Sequence, residues 1–133
     1  MNIQAHNIQV AFGSKTILHD VSLDIRDKEF VGIIGPNGSG KSTLLKCIYR
    51  TLHPNAGQIM LNGRALDELS FRESALQMAV VAQHNQYQFD FSVMDIVLMG
   101  RMPHKKLLEG DTPGDYTIAR RALAQVGMDH MET

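Results

Sequence analysis

The sequence has one cysteine, four prolines, charges that nearly cancel, and no apolar run of membrane-spanning length. Each scarcity excludes something. A lone cysteine, Cys47, cannot close an internal disulfide, which fits a reducing, cytosolic compartment. Lys and Arg number 13 against 14 Asp and Glu, for a formal net charge of -1. No surface built for a polyanion or an acidic lipid layer is implied, and nucleic acid is not an expected partner. The opening MNIQAHNIQV has neither a basic leader nor an apolar stretch of signal-peptide length. Apolar runs such as 78–82 fall far short of the roughly 20 residues a spanning helix needs, so any membrane role must pass through a partner. No repeat, low-complexity tract or Pro/Gly/Ser-rich linker divides the 133 residues, and one domain at most is expected.

What is present is an orderly alternation of patterns. Residues 3–12 and 17–25 alternate apolar and polar side chains around Gly13-Ser14-Lys15, predicting an antiparallel hairpin. Residues 30–34 (Phe-Val-Gly-Ile-Ile) and 78–82 (Met-Ala-Val-Val-Ala) are continuous apolar runs, predicting strands buried on both faces of a central sheet. Between them, 42–50 carries helical spacing through Leu44, Leu45 and Ile48. Residues 58–61 read as a short strand followed by an Asn62-Gly63 tight turn. Ser92 with Asp95 forms a capping-box signature opening a helix through Val93, Ile96, Val97 and Met99. Residues 115–126 predict another, with Ile118, Ala122 and Val126 at four-residue spacing and Gly127 as its stop. A hairpin followed by alternating strands and helices gives an α/β class with an antiparallel addition.

Between the first buried run and the helix stands Gly35-Pro36-Asn37-Gly38-Ser39-Gly40-Lys41-Ser42-Thr43, a full match to G-x-x-x-x-G-K-[ST]. The residue types follow from the chemistry. Glycines at 35, 38 and 40 let backbone N–H groups wrap phosphate oxygens where side chains would obstruct. The helix starting near Lys41 adds its positive end, Lys41 supplies an ammonium to the outer phosphates, and the Ser42 hydroxyl is a Mg²⁺ ligand. Thr43 offers one more hydrogen bond.

With its internal Pro-Asn-Gly, this string closely resembles the Walker A segment of ABC transporter ATPases. Phe12-Gly13 lies where that family carries an aromatic that stacks on adenine, and Gln83 ends the next buried run like the family's Q-loop glutamine. His19-Asp20-Val21-Ser22-Leu23 and Gly57-Gln58-Ile59 are similar too, so the resemblance covers the whole chain. It implies a P-loop NTPase (RecA-like) core with an N-terminal antiparallel β subdomain over 1–91 and the start of a helical subdomain over 92–133. It implies ATP and Mg²⁺ as cofactors, bound by Phe12 and residues 35–43, with Gln83 touching the metal and the attacking water. It also implies a transmembrane permease, a second ATPase copy and, indirectly, an extracytoplasmic binding protein as partners, at the cytoplasmic face of the membrane. Residues 92–104 resemble the corresponding segment of iron-siderophore, haem or cobalamin importers. By parity with Ile8 and Val10, the alternative reading of Phe12 is a core residue, and stacking is the favoured one. Tyr87, Phe89 and Phe91 suggest a contact surface on the loop after 82.

The signature segment, the Walker B strand ending in Asp-Glu and the switch histidine of that family do not occur, and family order places them after Gly127-Met128. The expectation is therefore a chain cut within the helical subdomain, with an incomplete central sheet and no ATP turnover of its own. Rival readings are a different P-loop NTPase, such as a small-molecule kinase, or a non-catalytic nucleotide-binding fragment. The six histidines form no metal-ligand spacing. Cys47 and the methionines are expected to fill core gaps, and Arg101, His104, Lys105 and Lys106 to form a solvated helix end.

Overall fold

The computed structural model describes residues 1–82 and 90–131, which fall into two units, Met1–Val80 and Val81–Thr133. In the first, β1 (Ile3–Phe12) and β2 (Lys15–Ile25) form the expected hairpin, turning through Gly13 at a φ of 59°. Helix α1 (Lys41–Ile48) follows, then β3 (Ala56–Leu61), β4 (Arg64–Ala65), a 3-10 turn (Leu66–Glu68) and α2 (Phe71–Ala75). The strands lie in the order β2-β1-β3-β4, each pair antiparallel. Asn62 and Gly63 join β3 to β4 with φ of 50° and 80°, the paired positive values that a two-residue hairpin matched to strand twist requires.

A bulge in β1 decides which side chains enter the core. Ile3 and Ala5 are buried, then the buried set jumps to Ile8 and Val10, so the inward parity switches midway. The switch is at Asn7, whose φ is 53° and whose neighbours show the register shifts against both adjoining strands. Its N–H donates to Ser22 Oγ (2.8 Å) and its side-chain amide donates to Asp20 Oδ1 (2.7 Å). These bonds replace ladder bonds that the extra residue interrupts. Gly57 sits against the same bulge at a φ of 91°, where a Cβ would come within 2.4 Å of the Asn7 carbonyl oxygen. Leu44, Cys47 and Ile48 of α1 share the resulting core with Ile8, Ile59 and Leu61. Leu45, expected on the same face, is instead substantially exposed.

The two continuous apolar runs depart from expectation. Neither 30–34 nor 78–82 belongs to a strand, and Phe30, Ile34 and Val81 are almost entirely exposed. A strand apolar on both faces needs hydrogen-bonding neighbours on its edges and covering layers on its faces. Every strand pairing among the described residues lies within the β2-β1-β3-β4 sheet, and none of them involves either run.

In the second unit, α3 (Val93–Met99) and α4 (Pro113–Gln125) pack through Met94, Leu98, Ala119 and Leu123. Both begin with reciprocal capping boxes, Ser92 with Asp95 and Thr112 with Asp115. The inward stripe of α4 is Asp115, Ala119 and Leu123, one position from the expected Ile118, Ala122 and Val126, which face outward. An ion-pair cluster accounts for the rotation. Arg101 Nε donates to Asp115 Oδ1 (2.8 Å), Lys105 bonds Asp111 and lies 3.7 Å from Asp115 Oδ2, and Asp115 is buried. The basic cluster is thus not simply a solvated helix end: Arg101 and Lys105 are engaged, while His104 and Lys106 are exposed.

The Arg101 guanidinium, then the Thr112 N–H and hydroxyl, hold the Asp115 carboxyl well below the usual carboxylate range. A depressed folded-state pKa contributes stability that is complete above the unfolded value near ~4 and is lost as pH falls through the folded one. Asp115→Asn is expected to lower the thermal midpoint at neutral pH by several degrees and to flatten its decline below pH ~4. Thermal melts across that range check this, and an acid-side slope unchanged by the substitution would contradict it.

Candidate functional site

The phosphate-loop pattern occupies the connection into α1. Gly38 and Gly40 adopt φ of 81° and 91°, which only glycine takes without strain. Gly40 is also where the loop touches the sheet. A Cβ there would lie 2.6 Å from Leu18 Cδ2 and 3.2 Å from the Ile17 carbonyl oxygen, so the loop rests directly on β2. That support was not legible in the sequence, which gives Ile17 and Leu18 only as members of a strand.

Helix α1 starts at Lys41 with Gly40 as its N-cap, no side-chain hydrogen bond to the cap and no acidic residue in the first turn. Most helix starts satisfy early N–H groups with a Ser, Thr, Asp or Asn side chain. The other capped helices of this chain do so, through Ser70, Ser92 and Thr112. At α1 the free N–H groups and the positive end of the helix lie beside a glycine-rich loop, a combination suited to an external anion. Lys41 Nζ folds back over the loop, donating to the carbonyl oxygens of Gly35 (2.8 Å) and Pro36 (2.7 Å) and reaching Ser39 Oγ at 3.4 Å. Its charge is thereby fixed at the loop mouth. The next side chains, Ser42 and Thr43, are exposed and half-buried respectively. The sequence-predicted residues 35–43 therefore form one continuous structural feature.

Phe12 ends β1 at the hairpin tip opposite Lys15 and is 55% exposed, so its ring is not a core group despite its parity. Lys15 is two residues before Ile17, which puts the ring's strand partner about 7 Å along β2 from the contact with Gly40. Gln83, Tyr87 and Phe89 lie outside the described residues. The one Asp-Glu pair in the sequence, Asp67-Glu68, is part of a 3-10 turn, with Asp67 beside His53 at 3.7 Å. It does not end a buried strand. Among the described residues no group of His, Cys, Asp and Glu could hold a metal ion.

A separate hollow of about 200 Å³ lies at the other end of α1, lined by Cys47, Arg50, Leu52, Ile59, Leu66 and Phe71 among others. Arg50 stacks on Phe71 at 4.3 Å and spends hydrogen bonds on Ser70 O (3.1 Å) and Ser74 Oγ (3.0 Å). With its cation so engaged and an apolar floor, this hollow is ill suited to phosphate. Burial raises the Cys47 thiol above its ordinary pKa, which keeps it in the unreactive form.

The contact at Gly40 generates a test. Gly40→Ala is expected to displace the loop, costing more than about 1 kcal/mol of stability from the strained φ and the backbone contact together. The variant should lose phosphate affinity at least as severely as it loses stability, as read by denaturant titration beside nucleotide calorimetry. Wild-type behaviour in both would contradict the packing described.

Residues 18–133 match the family model described as ABC transporter. The chain is 40% identical over 119 residues to the hemin import ATP-binding protein HmuV of Methylobacillus flagellatus, an alignment covering 90% of this chain and 44% of that one. It is 39% identical over 129 residues to the hemin import ATP-binding protein HmuV of Gloeobacter violaceus, covering 97% and 46%. With the cobalamin import ATP-binding protein BtuD of Halobacterium salinarum it shares 36% over 128 residues, covering 96% and 32%. Among solved structures, a chain described as an inward-facing metal-chelate type ABC transporter matches with a TM-score of 0.74 at 24% identity, covering 98% of this chain and 46% of that one. That likeness is one of fold. The chain spans about half the length, or less, of the curated relatives it matches. The phosphate loop at the head of α1, the antiparallel sheet beneath it and the match over most of the sequence agree: this chain belongs to the ABC transporter family.

Proposed function

We propose that the chain is the ATP-binding part of an ABC-type ATPase subunit that powers import of a metal chelate, haem or a cobalamin-like compound across a membrane. The observation that carries the ATP-binding reading is the uncapped start of α1 facing a glycine-rich loop over which Lys41 is folded. The cargo class rests on what the relatives are named for.

In this reading, backbone N–H groups of residues 35–43 surround the phosphates, Lys41 neutralises the outer two, and Thr43 adds a hydrogen bond. The Ser42 hydroxyl, together with Gln83, would hold Mg²⁺, and in the whole ATPase Gln83 would also orient the attacking water. The residues fit such a ligand: the loop's glycines leave room for close approach and the first turn has no carboxylate to repel it. Held there, Mg²⁺ would offset negative charge on the phosphates. Phe12, exposed near the loop, stacks on the base. The residues over 1–91 act as the nucleotide-binding core and 92–133 as the beginning of the helical subdomain. The subunit works against a transmembrane permease and a second ATPase copy at the cytoplasmic face, with a binding protein delivering cargo. No helix among the described residues is long and apolar enough to cross a membrane, in keeping with a peripheral position.

Among the described residues no Asp-Glu pair ends a buried strand to complete the metal site, so this polypeptide is proposed to bind ATP without turning it over. Calorimetric titration should find ATP affinity lowered roughly ten- to a hundredfold by Lys41→Ala, the equivalent of one charge-assisted hydrogen bond. Phosphate release should be at background in both proteins. Undiminished affinity in the variant would refute the site, and turnover abolished by Lys41→Ala would refute the second claim.

A further inference from the structure

Helix α1 ends on an arginine where glycine is the usual residue. Arg50 follows its last turn with a φ of 66°, and the N–H groups of Arg50 and Thr51 donate back to the carbonyl oxygens of Cys47 (3.2 Å) and Lys46 (3.0 Å). That closure needs a left-handed residue, which glycine supplies without strain and a residue with a Cβ does not. The Arg50 side chain is therefore held in place at a cost in backbone strain. Its guanidinium lies over the Phe71 ring at 4.3 Å and donates to Ser70 O and Ser74 Oγ, and both of those bonds leave from Nη1. Among the described residues the edge formed by Nε and Nη2 donates to nothing, and no carboxylate pairs with Arg50.

The same side chain lines the hollow of about 200 Å³ at that end of α1. Buried Cys47, Ile59 and Leu66 give the hollow an apolar floor, and burial keeps the Cys47 thiol neutral. The other ionisable groups of the lining, His53 and Asp67, are exposed and lie 3.7 Å from each other. We propose that this hollow binds a small monocarboxylate with a compact apolar body, its carboxylate on the Nε and Nη2 edge of Arg50 and its body on the floor. Charge and shape select that class. A guanidinium edge presents parallel N–H groups matched to the paired oxygens of a carboxylate. It meets only one side of a phosphate, whose oxygens point to all sides and whose hydration an apolar floor cannot replace. An apolar cavity of about 150 Å³ accepts benzene, so the hollow suits a body of one ring or a short chain. With its guanidinium stacked and pinned through Nη1, Arg50 has little freedom left to lose on binding. The site lies at the opposite end of α1 from the phosphate loop and does not depend on the importer reading.

The test is an amide-resolved NMR titration of the protein with benzoate, cyclohexanecarboxylate and hexanoate, each beside its primary amide, which is neutral and nearly the same shape. At least one of the acids is expected to bind saturably, with the largest shift changes at Cys47, Leu52, Ile59 and Leu66, and its amide to bind roughly tenfold more weakly or worse. Arg50→Gln and Arg50→Lys should both lose the preference for acid over amide, since lysine keeps the charge without the planar edge. Should either variant fail to fold, the comparison of acid with amide on the wild type still decides. Absence of saturable binding by all the acids, or equal binding of acid and amide, would overturn the assignment. Shift changes centred on residues 38–43 would also overturn it, by making the acids ligands of the phosphate loop. A full preference for acid retained by Arg50→Lys would overturn the part given to the guanidinium edge.

Discussion

The approach of Gly40 to β2 is the constraint on which the geometry of the glycine-rich loop and the start of α1 depends. Because no Cβ intervenes, the loop lies on Ile17 and Leu18, and that contact fixes where α1 begins and which way its free N–H groups point. Any side chain at this position would have to push the loop off the sheet or distort a backbone already at a φ of 91°. Lys41 follows immediately and can curl back to the carbonyls of Gly35 and Pro36 because the turn at Gly38 and Gly40 reverses the chain within a few residues. The proposed anion site is thus assembled by backbone conformation, with one side-chain charge placed upon it.

The same logic extends down through the sheet. β2 can carry the loop because it is paired with β1, and β1 holds its core face across the bulge at Asn7 because Gly57 of β3 gives way there. Two glycines with positive φ, one at the loop and one at the bulge, therefore mark the two places where backbone meets backbone or core too closely for a side chain. Leu44, Cys47 and Ile48 then tie α1 to the sheet from above, so the orientation of the helix start is set from both ends.

Much of this was legible in the sequence where local chemistry decides the outcome. The hairpin at Gly13-Ser14, the Asn62-Gly63 turn, the Ser92–Asp95 box and the phosphate loop all depend on residues within a few positions of one another. Features that depend on distant partners were not. The apolar runs at 30–34 and 78–82 read as strands because their composition suits burial, yet a strand exists only when another lies beside it. The rotation of α4 was equally hidden, because periodicity ranks Ile118 and Val126 above an aspartate for burial. Asp115 turns inward only because Arg101 and Thr112 meet its charge. Phe12 followed the parity of the core and still lies at the exposed tip, since parity sets the face of a sheet and not how far the core extends along it.

The central claim is that backbone N–H groups at the start of α1 form the anion-binding feature of this chain. Amide-resolved NMR of the polypeptide titrated with MgATP tests it directly. The account predicts that the largest shift changes fall on the amides of residues 38–43, with a ring-current perturbation at Phe12 and little change around Cys47, Arg50 and Phe71. Saturable changes centred on that second group, with the 38–43 amides undisturbed, would contradict it.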